Sequence, residues 1–117
     1  MDTTISNTVA FYVIIFLIIV FEAVTISFLK RSIKQPRWTI AGVFGYAIIA
    51  LMFREVLKMG EMGIANALWN CGAIILVSIV GIVFYGDTYT PIEWFGLFLA
   101  VLSTFCMVWD QLRLIFV

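Results

Sequence analysis

Residues 9–29 read VAFYVIIFLIIVFEAVTISFL. A membrane-spanning helix needs about 20 predominantly apolar residues, with a range of roughly 17–25, and this run meets that length. It carries one charged side chain, Glu22. A carboxylate at membrane depth costs roughly 2.5–3.5 kcal/mol on insertion scales. A cost of that size is tolerated only where something offsets it. The usual reason is that the carboxylate binds a proton, a cation, or each in turn.

The pattern recurs along the chain. Further apolar stretches occupy residues 38–53, 64–85 and 92–109. Turn signals separate them: Lys34-Gln35-Pro36, the segment from Met59 to Gly63, and the segment from Gly86 to Pro91. The second and fourth stretches reach spanning length by extending into their flanks. The fold class expected is therefore all-α and integral to the membrane. It is a four-transmembrane-helix bundle forming one domain over 1–117, with helices at about 9–29, 38–56, 64–85 and 92–110. Composition agrees. The 117 residues are 64% hydrophobic with mean hydropathy +1.14, whereas a soluble domain is nearer half apolar. The segment before the first run holds Asp2 and no Lys or Arg, and the run itself is too long for a cleavable signal.

Several function classes drop out. The chain has no histidine, and both of its two cysteines, Cys71 and Cys106, fall in apolar stretches. They read as small packing residues rather than a disulfide, and no transition-metal site is expected. No phosphate-cradling glycine loop or catalytic triad pattern appears, so neither an enzyme nor a cofactor is expected. No basic patch suggests nucleic acid.

Charge placement bears on orientation. With four spans, Arg54, Lys58 and Arg113 share one side of the membrane, and Lys30, Arg31, Lys34 and Arg37 share the other. Three against four is a small bias for the positive-inside rule. Two readings stay open: the cluster from Lys30 to Arg37 fixes the first loop in the cytoplasm, or the chain inserts both ways up.

The helices also have distinct faces. Around Glu22, positions Ile15, Ile18, Ile19, Thr25, Ile26 and Leu29 share a side at helical spacing. Tyr12 lies nearly three turns earlier, displaced from that face. Asn66, Trp69, Asn70 and Ala73 form a stripe on the third helix, and polar side chains in membrane helices normally face the protein interior. Gly42, Gly45, Tyr46 and Ile49 share a face of the second helix. Gly96, Ala100 and Ser103 give the fourth a small-residue stripe suited to helix contact, here a candidate dimer contact. Plainer readings exist for each. Asn66 and Asn70 can simply bond between helices, and Trp69 can be packing. Trp38, Trp94, Trp109 and Tyr12 suit the interfacial aromatic belt. Arg54, Glu55, Lys58 and Glu61 suit a solvated helix end. Glu22 can be a protonated acid bonded to a neighbouring helix.

Taken together, these residues resemble the small multidrug resistance transporters over most of the chain, from Tyr12 to Trp109. The resemblance rests on Glu22 followed by Lys30, on Gly63, Ala65, Ala67 and Trp69 opening the third helix, and on Phe84-Tyr85-Gly86-Asp87 closing it. Tyr46 and Tyr12 match the family's tyrosines on the second and first helices. The resemblance implies an antiparallel homodimer, or a dimer with a paralogue, embedded in lipid. It further implies exchange of protons for a small organic cation of the quaternary ammonium, polyamine or guanidinium class. Glu22 would be the proton and cation site, and Trp69, Tyr46, Tyr12, Asn66 and Thr25 the substrate contacts. A multi-pass protein of the bacterial inner membrane follows. Relatives form subunits of lipid-linked sugar flippases, and a non-transporting structural or regulatory subunit is the alternative. Departures from the family pattern point away from the typical aromatic multidrug substrates, and leave open a smaller or more hydrophilic cation or lost transport. Asn66 replaces a tyrosine, Ile18 and Thr25 replace small residues beside the glutamate, and Asn70-Cys71-Gly72-Ala73 keeps one glycine where the third helix bends. Thr25 also stands where the guanidinium subtype has tryptophan.

Overall fold

The computed structural model describes the backbone of residues 3–116 and the side chains of residues 7–110 and of Arg113. The domain expected over 1–117 is thus described over 3–116, and Asp2 lies outside the described residues. Four helices follow in chain order: α1 (Thr3–Ser32), α2 (Trp38–Leu57), α3 (Met62–Tyr85) and α4 (Pro91–Phe116). All four are long and apolar enough to cross a membrane.

Local chemistry sets the ends. α1 begins before its apolar run and continues through Lys30 and Arg31, whose charges complement the carbonyl end of the helix. Pro36 disfavours helical backbone at the residue before it, and the chain turns there, the Trp38 N–H donating to the Gln35 carbonyl at 3.0 Å. α3 stops at Gly86, which adopts the left-handed conformation (φ 70°) that lacks a Cβ penalty only in glycine. α4 opens with Pro91 in its first turn, behind a reciprocal cap. The Glu93 N–H donates to Thr90 Oγ1 at 3.3 Å, and the Thr90 N–H donates to Glu93 Oε1 at 3.1 Å.

α1 is the central helix. It packs along α2 and α3, and α4 approaches the rest chiefly through α3. The core runs along one stripe of α1, where Phe11, Ile15 and Ile18 meet Ile49 and Val56 of α2 and Ala65 and Leu68 of α3. Glycines set the spacing of the seams. A side chain at Gly42 would run into Leu29, and one at Gly45 into Thr25. α2 therefore lies against the same stripe of α1 that carries Glu22. The second seam is equally close, since Gly72 of α3 abuts Ile19. By contrast, none of the spanning window of α4 is buried.

Candidate functional site

Glu22 is half-buried, at the level where α1 crosses both α2 and α3. Each of its oxygens accepts one hydrogen bond from a different helix. The Trp69 indole N–H of α3 donates to Oε2 at 2.7 Å. The Tyr46 hydroxyl of α2 donates to Oε1 at 3.2 Å. Trp69 is steadied by Phe53, the ring centroids lying 4.9 Å apart. Among the described residues the ion pairs are Arg54–Glu55 and Lys58–Glu55, so no basic side chain neutralises Glu22. Two neutral donors hold the carboxylate in place without cancelling its charge.

The other expected site residues fall elsewhere. Thr25 is 1% exposed. It is pressed against Gly45, and its hydroxyl donates to the Phe21 carbonyl at 2.8 Å. It shapes the α1–α2 seam one turn from Glu22. Tyr12 stacks edge-on with Phe11, centroids 5.3 Å apart. About 15 Å separates it from Glu22 along the helix axis, at 1.5 Å per residue. Tyr12 instead lines a cavity of about 210 Å³ with Phe11, Met59, Glu61 and Met107. Asn66 and Asn70 are exposed on α3, facing out of the protomer on either side of Trp69. Among the described contacts neither amide has a partner within the protomer. On α4, Gly96 and Ser103 are exposed and Ala100 is half-buried, so the small-residue stripe runs along an open flank of the helix. Nothing within 4 Å would meet a side chain at Gly96.

One feature escaped the sequence reading. Lys30, Arg31, Lys34 and Tyr85 gather around one cavity where the α1–α2 connection meets the end of α3. The clustering of basic residues was visible in the sequence. Their meeting with the distant Tyr85 depends on α1 and α3 being neighbours.

The fold and the carboxylate define a multi-pass integral membrane protein with an ionisable group held at a helix crossing inside its spans. A search of protein families is more specific: residues 10–100 match the model for Small Multidrug Resistance protein, and the chain belongs to that family. Members of the family are transporters rather than enzymes. No curated protein and no solved structure matches the chain.

Proposed function

We propose that the protein is a proton-coupled antiporter that exports small or lipophilic organic cations, of the quaternary ammonium, polyamine or guanidinium-like classes, across a bacterial inner membrane. The observation that carries this reading is Glu22: a carboxylate within the spans, bonded by two neutral donors and paired with no cation. A charged side chain within an apolar span is costly. Either a proton or a bound cation removes that penalty, and the two compete for the same oxygens. Trp69 and Tyr46 also present aromatic rings beside the carboxylate. A desolvated cation there gains roughly 0.5–2 kcal/mol from a ring face.

A second copy completes the site in this reading. Asn66 and Asn70 would otherwise face hydrocarbon unpaired, and the α4 spanning window is unburied in the protomer. Polar side chains in membrane helices face the protein interior. An antiparallel partner would cover both surfaces and bring its own Glu22 to the chamber. Two carboxylates in one chamber titrate as a pair, so one cation can displace protons from both.

The rival reading is a transport-inactive subunit with the same fold. It is favoured by the fact that both Glu22 oxygens already have partners within the protomer. Glu22→Gln separates the two readings, because it keeps size, can still accept from the Trp69 N–H through its amide oxygen and donate to the Tyr46 hydroxyl, but cannot ionise. Proton release and cation binding are measured on purified protein between about pH 5 and 9, a range spanning the shifts seen for buried carboxyls. Wild-type affinity falls as pH drops, and Glu22→Gln loses both proton release and coupled transport while still inserting. If Glu22→Gln transports a cation with unchanged pH dependence, the carboxylate is structural.

A further inference from the structure

The end of α1 opposite Tyr12 carries a second feature, independent of the transport reading. Three cavities join there along the α1–α3 seam. The smallest, about 100 Å³, lies among Ala23, Ser27, Val80 and Gly81 and reaches Lys30 and Asp87. A larger one, about 460 Å³, shares Ala23, Ser27, Val80 and Tyr85 with it and adds Arg31 and Phe84. The third, about 280 Å³, is the mouth formed by Lys30, Arg31, Lys34, Gln35 and Tyr85. The result is one groove with an apolar floor inside the span and a cationic rim at its end. Along the helix axis, Ala23 to Lys30 covers about 10 Å at 1.5 Å per residue.

One side of the rim packs against the start of α2. The Arg31 guanidinium lies 5.0 Å over the Trp38 ring, which is stacked on Phe28 at 5.4 Å. The Trp38 indole N–H donates to Gln35 Oε1 at 2.9 Å, leaving the Gln35 amide N–H groups available to a ligand. Among the described residues, none of Lys30, Arg31 and Lys34 is in an ion pair. Asp87 is the one carboxylate among the groove-lining residues, so the three cations leave it strongly positive. The far end of the protein differs, because Lys58 and Arg54 are there tied to Glu55 and the cavity beside Tyr12 carries Glu61.

A positive rim above an apolar groove, at the depth where a span ends, matches one kind of molecule: an amphiphile with an anionic head. We propose that this groove binds an anionic phospholipid. The phosphate sits among Lys30, Arg31 and Lys34, with the Tyr85 hydroxyl and Gln35 amide as further donors, and an acyl chain lies along Val80 and Phe84. Basic pockets between membrane helices bind such headgroups, and each basic residue near an anionic surface adds roughly a fivefold factor in affinity. A cationic cargo is repelled from the same rim.

Native mass spectrometry of the full chain from detergent tests this. The probes are phosphatidylglycerol, phosphatidylcholine with the same acyl chains, and inorganic phosphate alone. Phosphatidylglycerol is expected to bind at least about fivefold more tightly than phosphatidylcholine. The combined variant Lys30→Gln, Arg31→Gln, Lys34→Gln should abolish that preference, while Lys58→Gln at the far end leaves it intact. Lys34→Gln alone, in the exposed connection, should lower it by roughly fivefold should the triple variant fail to fold. Val80→Trp fills the apolar floor and should weaken phosphatidylglycerol without touching the charges. Equal binding of the two lipids, or a preference that survives loss of the rim charges, overturns the proposal. Inorganic phosphate binding as tightly as phosphatidylglycerol overturns it too, and leaves a free-anion site.

Discussion

Removing only the indole N–H at position 69 separates two jobs of that side chain. Trp69→Phe keeps a ring beside Glu22 but deletes the 2.7 Å donor to Oε2. A hydrogen bond to a charged group contributes roughly 1.5–3 kcal/mol, and under the proposed antiport it acts on the carboxylate that would receive the cation. Apparent cation affinity at neutral pH should therefore fall by about tenfold or more in Trp69→Phe, and should recover in alkaline solution, where protons no longer compete. Trp69→Ala loses the ring as well and should stay weak at both pH values. Isothermal titration at two pH values checks this, and equal losses in the two variants at both pH values would remove the N–H from the account. Asn66→Tyr returns an aromatic ring one turn before Trp69. It should raise affinity for flat aromatic cations; no gain would mean that the pocket differs for another reason. Glu22, Tyr46 and Trp69 were each readable as candidates, from a lone carboxylate, a helix face and a polar stripe, but that the two rings bond to the carboxylate depends on how α2 and α3 sit against α1. The positions of Thr25 and Tyr12 in the packing were less readable. Thr25 shares a helix face with Glu22, but its contact with Gly45 depends on how closely α2 approaches.

Glycines on different helices make opposite predictions. At Gly45 an added side chain meets Thr25, which is 1% exposed. Gly45→Val should destabilise the protomer by about 1–3 kcal/mol, the usual cost of overpacking a filled seam, seen as unfolding at lower denaturant in detergent. At Gly96 nothing within 4 Å would meet the new side chain. Gly96→Val should leave the helical content and unfolding of the protomer unchanged. If the small-residue stripe of α4 is a dimer contact, it should still weaken dimers measured by crosslinking or sedimentation. A dimer unaffected by Gly96→Val would move the contact elsewhere. The four elements were readable because spanning length and turn residues need no tertiary information. Their true ends were harder to read. Polar residues at the start of α1 precede its apolar run, and the reciprocal cap of α4 joins Thr90, before the run at 92–109, to Glu93 just inside it; Thr-x-x-Glu at the head of an apolar run was the signal that would have found the latter. Helix rotation was the least legible property. Nearly every face of a membrane helix is apolar, so periodicity alone does not say which face packs and which meets lipid.

At the scale of the whole molecule the two ends carry nearly equal numbers of basic residues. The cavity joining Thr8, Glu61 and Met107 places the start of α1, the α2–α3 connection and the later part of α4 at one end. The groove joining Lys30 to Asp87 places the other two connections at the opposite end. Arg54, Lys58 and Arg113 therefore stand against Lys30, Arg31, Lys34 and Arg37, the small difference that the positive-inside rule must act on. Two of the three cations at the first end are also engaged with Glu55, although acidic residues count little in that rule. Dual insertion is the expected result, and it is what an antiparallel pair of identical chains requires. Reporters active only in the periplasm or only in the cytoplasm, fused separately to the C-terminus, should give comparable signals. Two lysines added near the N-terminus should reverse the bias and draw that end into the cytoplasm, so the periplasmic signal falls. Transport should fall with it, because chains locked in one orientation lack antiparallel partners, and co-expression with a variant biased the other way should restore it. A single active reporter in the unmodified chain would instead fix one orientation, and would then require either a parallel dimer or a paralogous partner inserted the other way.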